Sequence, residues 1–311
     1  MSRSGSDRSW VMSGLDDRAA TALLETLPAS ALWSLLLAVM DRRAQHRSVP
    51  DLARQWKRDG FTQPATVDQR TLNALDGHLL AAAADFEAIE LSPLAPLGSC
   101  SVVGLASQNK IVSALRGTEL VADPTNVFAL ECARRLRIDA SRVVRLATCH
   151  RCVRGQEVPK LPGYTQHFRI FCLATAGRER RDHGLLVEAL TEHIATHLRA
   201  LDRLEQHGYA FSDRRVRILA TEARASVADR LAAMVPGIPV ARERLDRAYY
   251  DGLRFMIDVR SAEGDAGPLI DGGVFDWVGR LAANRRLVFV ASGMGAQLVA
   301  ARFGGVRTGS E

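Results

Sequence analysis

Two arginines flank a polar loop in Cys149-His150-Arg151-Cys152-Val153-Arg154-Gly155-Gln156 and Gln166-His167-Phe168-Arg169-Ile170-Phe171. A guanidinium presents five N–H donors in a planar fork, which suits bidentate capture of a carboxylate or phosphate. If antiparallel strands flank the loop, side-chain alternation predicts Arg154 and Arg169 on one face, clamping an anion. A surface hairpin with solvated charges is the plainer alternative. Tyr249-Tyr250-Asp251-Gly252 and Asp271-Gly272-Gly273 form a second candidate. The tyrosines would line a small polar pocket, and a turn at Gly272–Gly273 would let backbone approach a ligand closely. Two hairpin turns with aromatic packing would carry the same residues.

Two further patterns concern metals and histidine. Cys149 and Cys152, with His150 between them, have the CxxC spacing of half a zinc knuckle or a redox pair. No second pair follows at ligand spacing, and Cys172 falls on the opposing strand, so the thiols are expected to fill core and no metal site is expected. An odd number of cysteines, five, without an export signal argues for reduced thiols and a cytoplasmic setting. His193 and His197 stand at i, i+4 and share one helix face. Without HExxH or a third ligand, a solvated face is the expectation.

The elements that position these groups follow from periodicity. The 311 residues, 47% hydrophobic and 24% charged, suffice for one large domain or a core with an appendage. No run of about 18 apolar residues occurs, so no spanning helix and no membrane partner are expected. Residues 31 to 40 read instead as a buried amphipathic helix. The Ser- and Arg-rich start predicts a disordered tail over 1–14, and Met12 offers a second initiation codon. Helical spacing continues over 15–80, broken by Pro50, Gly60 and Pro64.

From Phe86 the pattern turns to short strands: around 86–94, 101–107 and 119–125. A helix over 126–136 follows, capped by Thr125 or Asn126. Strands over 142–153 and 167–174 come next, then a long amphipathic helix over 184–206. Strands near 214–221, 253–261 and 285–292 precede a last helix over 294–303. Strands joined by long hairpins, with helices at intervals, predict an α+β fold with an antiparallel sheet flanked by helices. Neither GxGxxG after a strand nor GxxxxGK[ST] is present. Of 41 basic residues only Lys57, Lys110 and Lys160 are lysines, at a net charge of +6. The arginines are interspersed with acids, so no nucleic-acid partner is expected from charge alone.

In this order the pieces resemble the catalytic core of class II aminoacyl-tRNA synthetases of the histidyl type, and its paralogue, the regulatory subunit of ATP phosphoribosyltransferase. The segments over 86–98 and 119–136 are similar to the family's motif 1 strand and its L-R-P-E-x-T turn, which places Asp123 and Thr125 on the substrate side. Arg154 and Gln156, with the returning Gln166-His167-Phe168-Arg169, resemble motif 2, which implies that Arg154 stands at the family's nucleotide-phosphate arginine. Tyr249-Tyr250-Asp251-Gly252 resembles Y-Y-T-G, Gly272-Gly273-Val274-Phe275-Asp276 resembles G-G-R-Y-D, and Gly295-Ala296-Gln297-Leu298-Val299 resembles motif 3. The resemblance spans roughly 80–305, which sets a synthetase-like core at 81–311. It implies a ligand site for a nucleotide or amino acid built from Asp123, Thr125, Arg154, Gln156, Arg169, Tyr249, Tyr250, Gly252, Gly272 and Gly273, with no catalytic residue assigned.

Departures from the pattern bear on function. Gln156 replaces the motif 2 glutamate, Val274 the arginine of G-G-R-Y-D, and Leu298 the motif 3 arginine that grips ATP phosphates in the family. Loss of that cation would cost on the order of a hundredfold in rate. The chain ends soon after motif 3, so no anticodon-binding domain is expected. The reading is a paralogue with degenerate ATP-binding motifs that binds a ligand or a partner enzyme and does not charge tRNA, with a homodimer implied by resemblance. The alternative is an ATP- and magnesium-dependent ligase that activates an amino acid for a non-tRNA acceptor. That alternative rests on Arg154 and leans on Arg169, Arg178, Arg180 and Arg181 to replace the missing cation. A nucleic-acid adaptor is a third reading, resting on the arginine excess.

Overall fold

The computed structural model describes residues 14–304 apart from 236, 247, 248, 262, 263 and 265, so the tail expected over 1–14, Met12 included, lies almost wholly outside the described residues. The chain opens with helices Asp17–Thr21 (α1), widening into a turn over Ala22–Thr26, Ala29–Gln45 (α2), Val49–Arg58 (α3) and Gln69–Ala82 (α4). Ser48 and Asp51 form a reciprocal capping box that starts α3, and Asp68 caps α4 through the Thr71 amide. The apolar run over 31–40, expected to be buried, contributes no buried residue, and neither do α1 and α3. Among the described residues no second layer covers the outer side of α2, so its apolar positions stay at the surface. By contrast, Leu72, Leu75 and Leu79 of α4 are buried.

The core follows. Short strands Glu87–Ala88 (β1), Leu94–Pro96 (β2), Ser113–Ala114 (β3) and Thr118–Leu120 (β4) precede helix Pro124–Ile138 (α5). Its N-cap is Asp123, two or three residues earlier than expected. The Asp123 carboxylate accepts from the Thr125 amide at 3.0 Å, and Pro124 in the first turn gives up no backbone bond. Then come Val144–Val153 (β5), His167–Arg178 (β6), Gly184–Glu205 (α6), Ser212–Ala220 (β7), Ala225–Ala233 (α7) and Val240–Arg244 (β8). Leu253–Arg260 (β9), Ala266–Phe275 (β10), Trp277–Leu281 (α8), Leu287–Met294 (β11) and Ala296–Arg302 (α9) complete the chain.

Eight strands form one sheet in the order β1-β5-β6-β11-β10-β9-β7-β8, antiparallel inside and parallel at both edges; β2, β4 and β3 make a second, small sheet. The sheet has two covered faces. One packs on α4, α6, α7 and α9 through residues such as Leu190, Phe255 and Val290; the other packs on α5 and α8 through residues such as Phe128, Phe275 and Phe289. The G-G pair expected at a turn lies inside β10. Gly272 pairs with Phe255 and Ser292, and a Cβ there would lie 2.4 Å from the Ser292 Cβ. The glycine thus admits close side-chain packing between strands and makes no turn.

The His193–His197 pair is a second departure. Both rings are fully buried between α6 and the sheet, not solvated. His193 bridges Thr175 Oγ1 at 3.0 Å and Ser292 Oγ at 2.8 Å, and His197 Nε2 shares the same Ser292 hydroxyl at 2.8 Å. His197 Nδ1 has no partner. One arrangement leaves no buried N–H unpaired: His197 Nε2–H donates to Ser292, Ser292 to His193 Nδ1, and His193 Nε2–H to Thr175. Both imidazoles are then neutral.

Candidate functional site

Strand alternation sorts the expected site residues. In the β5–β6 ladder Arg151 opposes Arg169, and Cys152 opposes Phe168. Arg154 lies just beyond β5 on the Cys152 side, where its guanidinium rests 5.0 Å over the Phe168 ring and donates to the Ala122 carbonyl at 2.8 Å. Arg169 points to the other face and donates through Nε to Asp76 of α4 at 2.8 Å, with a second bond from its Nη2 to the same oxygen. The two arginines therefore form no clamp. Cys149 and Cys152 also lie on opposite faces, in different apolar clusters. Among the described residues no group of three or more His, Cys, Asp or Glu is placed to hold a metal ion.

What the fold does bring together surrounds two adjoining cavities. A cavity of about 290 Å³ is lined by Asp123, Thr125, Arg154, Tyr249, Tyr250 and Gly272, together with Ile170, Cys172, Asp271, Phe275 and the strand β11 residues 291–293. A second, of about 210 Å³, shares Asp123, Arg154 and Tyr249 and adds Cys100, Lys110, Asn126 and exposed Gln156. The wall between them is an ion pair: Arg154 Nη2 lies 3.6 Å from Asp123 Oδ2, with both side chains partly exposed. Gly252, at φ +77°, turns the chain from the tyrosine pair into β9 and lines neither cavity. Gly273 is packed so that a Cβ would lie 2.6 Å from the Tyr250 ring.

Asp271, outside the expected set of site residues, lines the first cavity and is held there by Arg254. Asp271 receives a fork from Arg254, Nε at 2.9 Å and Nη2 at 2.7 Å, and a hydroxyl from Tyr250 at 2.8 Å. Burial, then the Asp271 charge, pushes the Tyr250 phenol upward, so it stays a neutral donor. The signal was legible as Arg254 beside the tyrosines and Asp271 beside the glycines, which pair across β9 and β10. In the second cavity, Cys100 is held as a thiol, its pKa pushed up to about 12 by burial and then by Asp123 and Glu119. Fully buried Glu119 accepts from the Gly98 and Cys100 amides and from Gln108, and so shapes that wall.

The family's motif 3 position is built for packing. Leu298, on α9, would meet a Cβ at Gly163 at 3.1 Å, and Gln297 Nε2 donates to Thr165 Oγ1 at 2.8 Å, so the β5–β6 loop lies down on α9. The arginines expected to replace the missing cation do not converge there. Arg169 faces α4, Arg180 pairs with Glu188, Arg181 is exposed in the turn before α6, and Arg178 opposes Leu287 six residues along β6 from Cys172, about 20 Å away. Arg154 and Lys110 are the only cations lining the two cavities.

A mostly antiparallel sheet, with helices on both faces and a ligand-sized cavity over its central strands, gives the chain a class II aminoacyl-tRNA synthetase-like fold. Solved structures with that fold superpose on it. An ATP phosphoribosyltransferase regulatory subunit/histidyl-tRNA synthetase from Bacillus halodurans matches at TM-score 0.55 and 14% identity, over 77% of this chain and 82% of that one. A histidine–tRNA ligase subunit from Alicyclobacillus acidocaldarius matches at 0.58 and 12%, over 78% and 95%. A putative threonyl-tRNA synthetase from Aeropyrum pernix matches at 0.59 and 12%, over 76% and 58%. No protein-family model and no curated protein matches the sequence. At these identities the likeness establishes the fold alone.

Proposed function

We propose that the chain is a histidyl-tRNA synthetase-like paralogue that binds a small amino-acid-like ligand between Asp123 and Arg154, and that it acts as a ligand- or partner-binding regulator without charging tRNA. What supports this reading is an ion pair at the junction of two cavities, together with a packed leucine at the position that resembles the motif 3 arginine. Asp123 and Arg154, 3.6 Å apart at the junction of two cavities, offer one anion and one cation to an α-amino carboxylate. Leu298, where the family carries an arginine, is instead packed against Gly163. The regulatory-subunit neighbour supports a partner enzyme by analogy, and the fold supports a homodimer in the same way.

Calorimetric titration of the purified protein with each of the twenty amino acids, followed by ATP–pyrophosphate exchange, tests the reading. One amino acid is expected to bind, with no exchange above background. Exchange would overturn the regulatory reading in favour of an ATP- and magnesium-dependent ligase with a non-tRNA acceptor. Asp123→Asn keeps the helix cap but removes the charge, and is expected to weaken the ligand about tenfold to a hundredfold, the value of a charge-assisted bond. Unchanged affinity in that variant would place the ligand elsewhere.

A further inference from the structure

Of the seventeen exposed large apolar side chains among the described residues, nine fall between Leu15 and Phe61. The segment that contains them, 15–61, which includes α1 to α3, holds no buried residue. Its anchor is the inner side of α2, where the Trp33 indole packs over Gly117 of the small sheet. Among the described residues nothing covers the opposite surface. On α3, Val49, Leu52 and Trp56 stand at i, i+3 and i+7, one stripe of a helix, at 79%, 51% and 54% exposure. At 100° per residue, Arg54, Lys57 and Arg58 fall on the other side. Leu35 and Val39 add an exposed apolar pair on α2.

Charge identifies what this surface fits. Arg42, Arg43, Arg47, Arg54, Lys57 and Arg58 face only Asp41 and Asp51 over residues 41–58, a net +4 from six cations and two anions. Asp41 accepts from Gln45, and Asp51 is spent in the α3 capping box and on Arg54. A short helix with Trp and Leu on one side, Lys and Arg on the other, and low overall hydrophobicity has the character of an interfacial helix. Such a helix lies in the membrane plane with its apolar side among the acyl chains and its cations at the headgroups. No single described helix is long and apolar enough to cross a membrane, and the α1–α2 pair is bent by 119°. A helix lying on the surface needs no span.

We propose that the α2–α3 surface docks this protein peripherally on anionic lipid. The full chain would be sedimented with vesicles of phosphatidylcholine alone and with phosphatidylcholine mixed with phosphatidylglycerol. Binding is expected to the mixed vesicles, at least tenfold tighter than to phosphatidylcholine. L52E/W56E, which removes the apolar stripe at exposed positions, and K57E/R58E, which reverses two charges, are each expected to lose roughly tenfold or more. Circular dichroism of both variants checks that the sheet is intact. Failure of the wild type to bind mixed vesicles, or binding indifferent to both variants, overturns the proposal. So does light scattering that shows a wild-type oligomer dispersed by L52E/W56E without vesicle binding, which would assign the stripe to a second copy of the chain.

Discussion

Acidification from pH 7 to pH 5 is expected to remove about 4 kcal/mol of folding stability, and His193 and His197 are the source. Both are fully buried, and burial depresses both: His193 well below the usual histidine range, with His197 and Arg145 adding to the effect, and His197 to about 3. The unfolded chain protonates these rings near pH 6.5, while the folded chain keeps them neutral. The unfolded state therefore binds more protons below pH 6.5, and folding stability falls with pH from there down through the folded pKa values. For a ring still neutral in the fold, the change between pH 7 and pH 5 is about 2 kcal/mol, so the pair gives about 4.

His150, also depressed by burial, pulls in the same direction. Carboxylates held low by arginine, such as Glu131 at about 2, lose their contribution only below the ordinary carboxylate range and stay outside this window. Urea midpoints at pH 7, 6 and 5 measure the slope. H193Q/H197Q keeps amide groups to bond Thr175 and Ser292 while removing the titrating sites. It is expected to be less stable at pH 7 yet to lose most of the dependence between pH 7 and 5. A variant that retains the wild-type slope would move the cause away from this pair.

That pair also shows what periodicity can and cannot deliver. Spacing at i, i+4 placed both rings on one helix face, and the apolar stripe through Leu186, Leu190 and Ile194 marks that face as the inner one, since each histidine lies three residues beyond a stripe leucine or isoleucine. The signal was present and pointed inward. The polar partners that make burial tolerable, Thr175 and Ser292, sit on two strands far along the chain and could not be paired from spacing. Arg169 illustrates a different limit. A loop of a dozen residues between β5 and β6 does not fix their register, and a slip of one residue moves every side chain to the other face. Most strands and α6 were legible from alternation and amphipathicity. Charged Val240–Arg244 was not, because an edge strand carries polar residues where a central one carries apolar ones. Asp123, Thr125, Arg154, Tyr249 and Tyr250 were named from motif order and do line one cavity. The Arg254–Asp271 fork was missed because it depends on β9–β10 pairing.

Removing Asp76 is expected to destabilise the fold by about 3–5 kcal/mol while leaving ligand affinity of the folded protein unchanged. Asp76 is buried on α4, with its side chain only 11% exposed, and it receives both Nε and Nη2 of Arg169, itself 26% exposed. Truncation to alanine would leave a largely desolvated guanidinium on the sheet without its hydrogen-bonded counter-charge, with only the weaker influence of Glu90 remaining, the costly half of a buried pair. Arg151 lies in the same neighbourhood, opposite Arg169 in the ladder, so the stranded charge would also face a second cation. Replacing both partners at once, D76L/R169M, is expected to recover most of the loss, because apolar side chains of similar volume suit the interface between α4 and β6. Denaturant unfolding of the two single variants and the double variant gives the coupling directly. If D76A unfolds like the wild type, the pair contributes no stability. If R169M weakens the ligand as much as D123N does while remaining folded, Arg169 belongs to the site after all, and the division of the two arginines between opposite faces fails as a functional argument. The expected pattern is the reverse: Arg169 ties α4 to the sheet, and Arg154 alone of the two meets the ligand.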